Sequence, residues 1–165
     1  MMVSKSVFAG VIALILLGGP LSAEGDPTYG FSPDDPGMNA AMAGARDTLD
    51  AFIANTMVDG QSGAQTMIKV AIPTDDGNEI IWIAPFAQLS ATGWVGVLAN
   101  QPQMIAGANA GDTVEFAGEQ IADWALFGDD GLLYGGYTLR EMVVSGAVTE
   151  DAMPPMSGDP VPQDW

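Results

Sequence analysis

The sequence predicts an α+β fold: one N-terminal amphipathic helix packed on a curled, mainly antiparallel sheet of five or six strands, forming a partial barrel. A change of period carries this reading. Apolar residues between Met38 and Ile53 recur at three- and four-residue intervals, and from Met67 onward they alternate with polar or smaller ones. Asp-Gly and proline steps fall between the alternating runs, where tight turns require them.

At the N-terminus, Met1 to Lys5 carries one positive side chain, Val7 to Leu17 is small or apolar throughout, and Leu21-Ser22-Ala23 ends on a small residue. This is the pattern of a secretory signal peptide over residues 1–23, with cleavage near Ala23. A membrane-spanning helix needs roughly 20 apolar residues, about twice this run. Residues 24–37, broken by Gly25, Pro27, Gly30, Pro33, Pro36 and Gly37, read as a flexible lead-in to a single domain over residues 38–148. Asp34 or Asp35 can cap the helix with Pro36 in its first turn. Met38, Ala41, Met42, Ala45, Leu49, Phe52 and Ile53 form its inward face, and Asp59-Gly60 marks its stop.

Ile68, Val70 and Ile72 alternate on the first strand, Asp75-Asp76-Gly77 turns the chain, and residues 79–84 return with Ile81 and Ile83 on one face and Ile80 and Trp82 on the other. Trp94 to Leu98 is a third strand, and residues 113–116 a fourth with Val114 and Phe116 inward. Residues 121–127, the turn Asp129-Asp130-Gly131 and residues 132–144 are expected to form a second hairpin, with Gly135-Gly136 as a bulge. Residues 149–165 hold Pro154, Pro155, Pro160 and Pro162 among acidic residues and no cation, and are expected to be a disordered tail. For Trp165, a frayed end is the simpler reading beside a hydrophobic recognition tag.

Composition limits the chemistry. The chain has 21 acidic residues against four Lys and Arg, no His and no Cys. Loss of Lys5 with the signal leaves Arg46, Lys69 and Arg140 as the only cations. Such a surface repels nucleic acid and anionic lipid, whose binding depends on Lys and Arg, and it favours a cationic protein or peptide. The same charge also serves solubility. Without imidazole or thiol, Ser-His-Asp and Cys-His mechanisms, thiolate metal sites and disulfides are excluded. Hard oxygen-ligated ions stay chemically accessible, but the two Asp-Asp-Gly sequences lack the spaced ligands of an EF-hand and read as turns. A Ser-Lys pair would need Ser62, Ser90 or Ser145 to face Lys69. Each cation is expected to find a carboxylate, with Asp123 the natural partner.

Several blocks carry a resemblance: Asp35 to Ala41 with Ala45 to Leu49, Glu79 to Trp82, Gly96 to Pro102, Gly111 to Phe116, Ile121 to Trp124 and Gly135 to Arg140. In order and spacing, from about Asp34 to Val144, they resemble the YegJ-like bacterial family, domain of unknown function 2314. The chain differs from many members at Ile80, where they carry His, and at Asp50, where they carry Pro. The resemblance implies no settled activity. Trp82, Trp94, Phe116, Trp124 and Tyr137 read first as core or half-buried strand residues. The candidate binding surface is Arg46, Asn100, Asp123, Trp124, Tyr137 and Arg140; no residue is assigned as catalytic or metal-ligating, and no cofactor is implied. Function is unknown, and the reading preferred is a periplasmic or secreted, non-catalytic binding module that meets a cationic protein. A carboxylate-based hydrolase and a calcium-dependent structural module are the alternatives.

Overall fold

The computed structural model describes residues 34–165. The signal peptide, its cleavage near Ala23 and residues 24–33 of the lead-in lie outside the described residues. Residues 34–165 form an α+β domain of two α-helices and an open, antiparallel sheet of eight strands.

Helix α1 spans Pro36–Thr56. Asp35 is its cap: the Met38 amide donates to Asp35 Oδ1 at 2.8 Å, satisfying one of the N–H groups that a helix start leaves open. Pro36 occupies the first turn, where its missing N–H costs nothing. Asp59-Gly60 acts after the helix rather than at its end. Strands β1 (Met57–Val58) and β2 (Gln61–Ser62) form a minimal hairpin around this pair, whose φ angles of 51° and 74° fit the left-handed two-residue turn.

The remaining strands are β3 (Thr66–Thr74), β4 (Gly77–Gln88), β5 (Gly93–Leu98), β6 (Thr113–Ala117), β7 (Ile121–Phe127) and β8 (Leu133–Gly135). Their order is β1-β2-β4-β3-β7-β8, with β5 pairing β4 and β6. The count exceeds the expected five or six because β1 and β2 are too short to show a period. The sheet does not close. Between Ile83 and Phe86 the register of β4 against β5 shifts, and the first half of β4 pairs with β3 while its second half pairs with β2 and β5.

The core lies between the sheet and α1. Ile68, Val70, Ile81, Ile83 and Leu98 are buried there, each contributing about 1.5–3 kcal/mol. Phe52 of α1 stacks on Trp124 of β7, ring centroids 4.8 Å apart. Ile80 is exposed and Trp82 half-buried, as the strand alternation expects. Trp94, Phe116 and Trp124 are buried, and Tyr137 is half-buried.

Two expectations are corrected. The run 132–144 is not one strand: β8 ends at Gly135, and Tyr137–Val144 is a second helix, α2. Gly135 and Gly136 cause the change, with φ of 66° and 60°. A Cβ on Gly135 would collide with the Trp124 carbonyl oxygen and indole ring, so no other residue fits there. Residues 149–165 are also ordered against the domain. Glu150–Ala152 form a short 3-10 turn, Met156 bridges Leu133 in parallel, and Trp165 packs on Phe52 and Trp124. Prolines lack an N–H, but the Pro155 and Pro160 carbonyls accept from Leu133 and Gly135 at 2.8 and 2.7 Å.

Candidate functional site at the start of the second helix

Strand β7 presents Asp123 and Trp124 to opposite sides, as successive strand residues must. Asp123 lies opposite Lys69 of β3, beside a register shift between Lys69 and Val70. The glycine turn after β8 brings the N-terminus of α2 onto the Asp123 carboxylate. Oδ1 accepts from the Trp124 amide at 2.8 Å and the Tyr137 amide at 3.1 Å. Oδ2 accepts from the Thr138 amide at 2.8 Å and the Thr138 hydroxyl at 2.6 Å. Gly136 at the cap position has no side chain, so a carboxylate from the neighbouring strand caps α2 in its place.

Lys69 completes this group. Its Nζ donates to Thr138 Oγ1 at 3.1 Å and sits 5.0 Å from the centroid of the Trp82 ring. Lys69 thus reaches Asp123 through Thr138. Burial pushes the Asp123 carboxyl above its ordinary value, against the opposing pull of the Thr138 hydrogen bonds, Lys69 and the Trp124 amide. Burial pushes the Lys69 ammonium below its ordinary value, and Asp123 opposes the shift.

Trp124 reaches the other helix. Its Nε1 donates to Thr48 Oγ1 at 3.0 Å, and the same oxygen lies 3.0 Å from the Tyr137 hydroxyl. Thr48 thus ties β7, α1 and α2 together. Arg140, one turn along α2, donates to the carbonyls of Gly135 (2.7 Å), Leu133 (3.2 Å) and Ser157 (2.8 Å) and to the Ser157 hydroxyl at 3.0 Å. Burial lowers its pKa from the ordinary arginine value. The expectation that each cation meets a carboxylate fails here: Arg140 bonds carbonyls and a hydroxyl.

The structure therefore gathers Asp123, Trp124, Tyr137 and Arg140 around one helix end and leaves Arg46 and Asn100 elsewhere. Arg46 is exposed on α1. Asn100 accepts the Trp82 amide at 3.3 Å. Ser62, Ser90 and Ser145 are engaged with the Phe86 amide, the Gly93 amide and the Met142 carbonyl, so Lys69 faces Thr138 instead of any of them. Among the described residues no group of three carboxylates is placed to hold a metal ion. Asp130 behaves as a turn residue, accepting from the Leu132 amide at 3.0 Å and the Tyr134 hydroxyl at 2.8 Å.

Sequence reasoning missed Thr48, Thr138 and Ser157. A left-handed pair of glycines followed by Thr138 was the available signal for a helix start. Thr48 and Ser157 carry no signal of this role, because the partners that draw them into the cluster, Trp124 and Arg140, lie 76 and 17 residues away.

A second polar cluster lies apart from this one. Glu79 Oε1 accepts from the Gln103 amide at 2.7 Å, and Oε2 accepts from the amides of Met104 and Ile105 at 2.8 and 3.0 Å, holding the loop between β5 and β6.

Comparison with known proteins adds a family. The family described as "Uncharacterized protein conserved in bacteria (DUF2314)" matches residues 35–152. The "Uncharacterized protein YegJ" of Escherichia coli (strain K12) is 29% identical over 113 residues, which cover 68% of this chain and 71% of the relative. No solved structure matches.

Proposed function

We propose that this chain, which belongs to the DUF2314 family of uncharacterised bacterial proteins, is an exported, non-catalytic binding module whose acidic surface meets a cationic protein or peptide. Export rests on the signal-peptide pattern of residues 1–23.

One observation carries the choice of partner: two of the three described cations are turned inward, while most of the described carboxylates, Asp123 apart, face outward. Lys69 is spent on Thr138 and Trp82, and Arg140 on three carbonyls and a hydroxyl. Arg46 remains as the exposed cation among the described residues. Against it stand Asp47, Asp50, Asp59, Asp75, Asp76, Asp112, Glu115, Glu119, Asp129, Asp130, Glu150 and Asp151, all exposed. A surface of one sign accelerates encounter with a partner of the other and falls silent as salt screens it.

The hydrolase alternative has less to draw on. Asp123, 1% exposed, is the buried carboxylate among the described residues, and both its oxygens are filled by four donors. The test is a titration of the pure domain against a basic secreted protein such as a lysozyme, at low and high ionic strength. The expected result is binding that weakens steeply with salt. Absence of salt-sensitive binding to a panel of cationic proteins overturns the proposal.

A further inference from the structure

Residues 153–165 lie along one edge of the domain as a strap, beyond the family-matched residues 35–152. Three kinds of contact hold it there. First, its main chain extends the sheet: the Leu133 amide donates to the Pro155 carbonyl at 2.8 Å, the Ser157 amide to the Leu133 carbonyl at 3.0 Å, and the Gly135 amide to the Pro160 carbonyl at 2.7 Å. Second, Arg140 reads Ser157 twice, through its carbonyl and its hydroxyl, and Ser157 is buried. Third, Trp165 covers an aromatic floor, 5.6 Å from the Trp124 ring and 6.4 Å from Phe52, with Val161 also packed on the core.

The surface beneath the strap has supports of its own. Arg140 is also held by the Gly135 and Leu133 carbonyls, Phe52 and Trp124 stack on each other, and Trp124 is tethered to Thr48. Without the strap, β8 would be a sheet edge with open amides at Leu133 and Gly135. Such an edge takes an added strand, with main-chain bonds giving affinity and side-chain pockets giving selectivity. Pro154, Pro155, Pro160 and Pro162 stiffen the strap and lower the entropy lost on docking.

We infer that this edge is a peptide-binding site for an extended, proline-containing segment with a small hydroxyl residue over Arg140 and an aromatic ring over Trp124, and that the strap occupies it in cis. A partner segment of that chemistry gains the site by displacing the strap. This surface is separate from the acidic one: its contacts are main-chain hydrogen bonds, the Arg140 bonds to the neutral oxygens of Ser157 and ring packing, so binding persists at high salt, and either reading can fail without the other.

The test uses the full chain, wild type and a released form carrying Ser157→Ala and Trp165→Ala, with a fluorophore-labelled synthetic peptide of residues 153–165 as probe and anisotropy as readout. The cis strap competes through its high local concentration, so the expected result is binding to the released form about ten-fold tighter or more than to wild type. Binding should be lost with a peptide bearing alanine in place of the tryptophan, and should not weaken as salt is raised. A released form that keeps a single cooperative urea-unfolding transition but ignores the probe, or binds both peptides alike, overturns the proposal. Should the released form not fold, a wild-type chain with a protease site engineered at Ala147 gives the second measurement. After cleavage the strap fragment should stay bound and be displaced by excess probe peptide but not by its alanine version. Immediate loss of the fragment, retention that no peptide displaces, or exchange of straps between copies into dimers that the probe cannot enter overturns it equally.

Discussion

Two carboxylates each organise a piece of this molecule by collecting donors, and they do so in opposite surroundings. Asp123 is buried, takes four hydrogen bonds, caps α2 and stands beside Lys69. Glu79 is half-buried, takes three, and pins the loop over residues 103–105 with no cation involved. Donor counts alone make the two look alike. Burial separates them: lost partners of Glu79 are rehydrated, whereas those of Asp123 stay dry and unpaired.

Four substitutions put that contrast to measurement. The largest effect is expected for Asp123→Ala, which uncaps α2 and leaves Lys69 without its counter-charge. It should cost about 3–5 kcal/mol in urea unfolding, and a loss below that of the Glu79 variant would remove the distinction. Arg140→Ala comes next, since the carbonyls of Gly135, Leu133 and Ser157 lose their shared donor. The expectation is about 2–3 kcal/mol, with faster amide exchange at Gly135 and Ser157.

The pH dependence follows from the directions of shift. The folded pKa of Asp123 lies above the unfolded value, so the folded state binds the extra proton between the two, and stability from this group is lost as pH rises through that window. Asp123→Asn also removes the opposition to the lowered Lys69 pKa. The stability advantage of wild type over this variant should therefore shrink as pH rises above the ordinary aspartate range, by at most about 1.4 kcal/mol per pH unit. An advantage that grows with pH would reverse the assignment. The smallest effect belongs to Glu79→Gln, about 1 kcal/mol, seen mainly as faster exchange at Met104 and Ile105.

Local and distant partners also divide what could be read from the chain beforehand. Elements made by neighbours were visible: the three- and four-residue spacing from Met38 to Ile53, a cap at Asp34 or Asp35, which the structure resolves to Asp35, and the hairpin at Asp75-Asp76-Gly77. Elements made by distant partners were not. Leu139, Met142, Val143 and Val144 suit a strand as well as a helix, and the decision falls to two left-handed glycines and a carboxylate 14 residues earlier. Proline content suggested a disordered tail, because the pattern does not show that β8 offers amides to proline carbonyls. Of the candidate surface, Asp123, Trp124, Tyr137 and Arg140 share one corner, while Arg46 and Asn100 lie apart: the scarcity of cations and a block of family resemblance single them out in the sequence, and neither encodes position.

The Trp165 indole lies 5.6 Å from that of Trp124 and is inclined to it by 30°. Two chromophores so close and so oriented couple their excited states, and the coupling gives a paired positive and negative band in the ultraviolet dichroism spectrum. Trp165→Phe should abolish that couplet while leaving the backbone signal in place, so the molecule carries its own optical gauge of whether this corner is assembled.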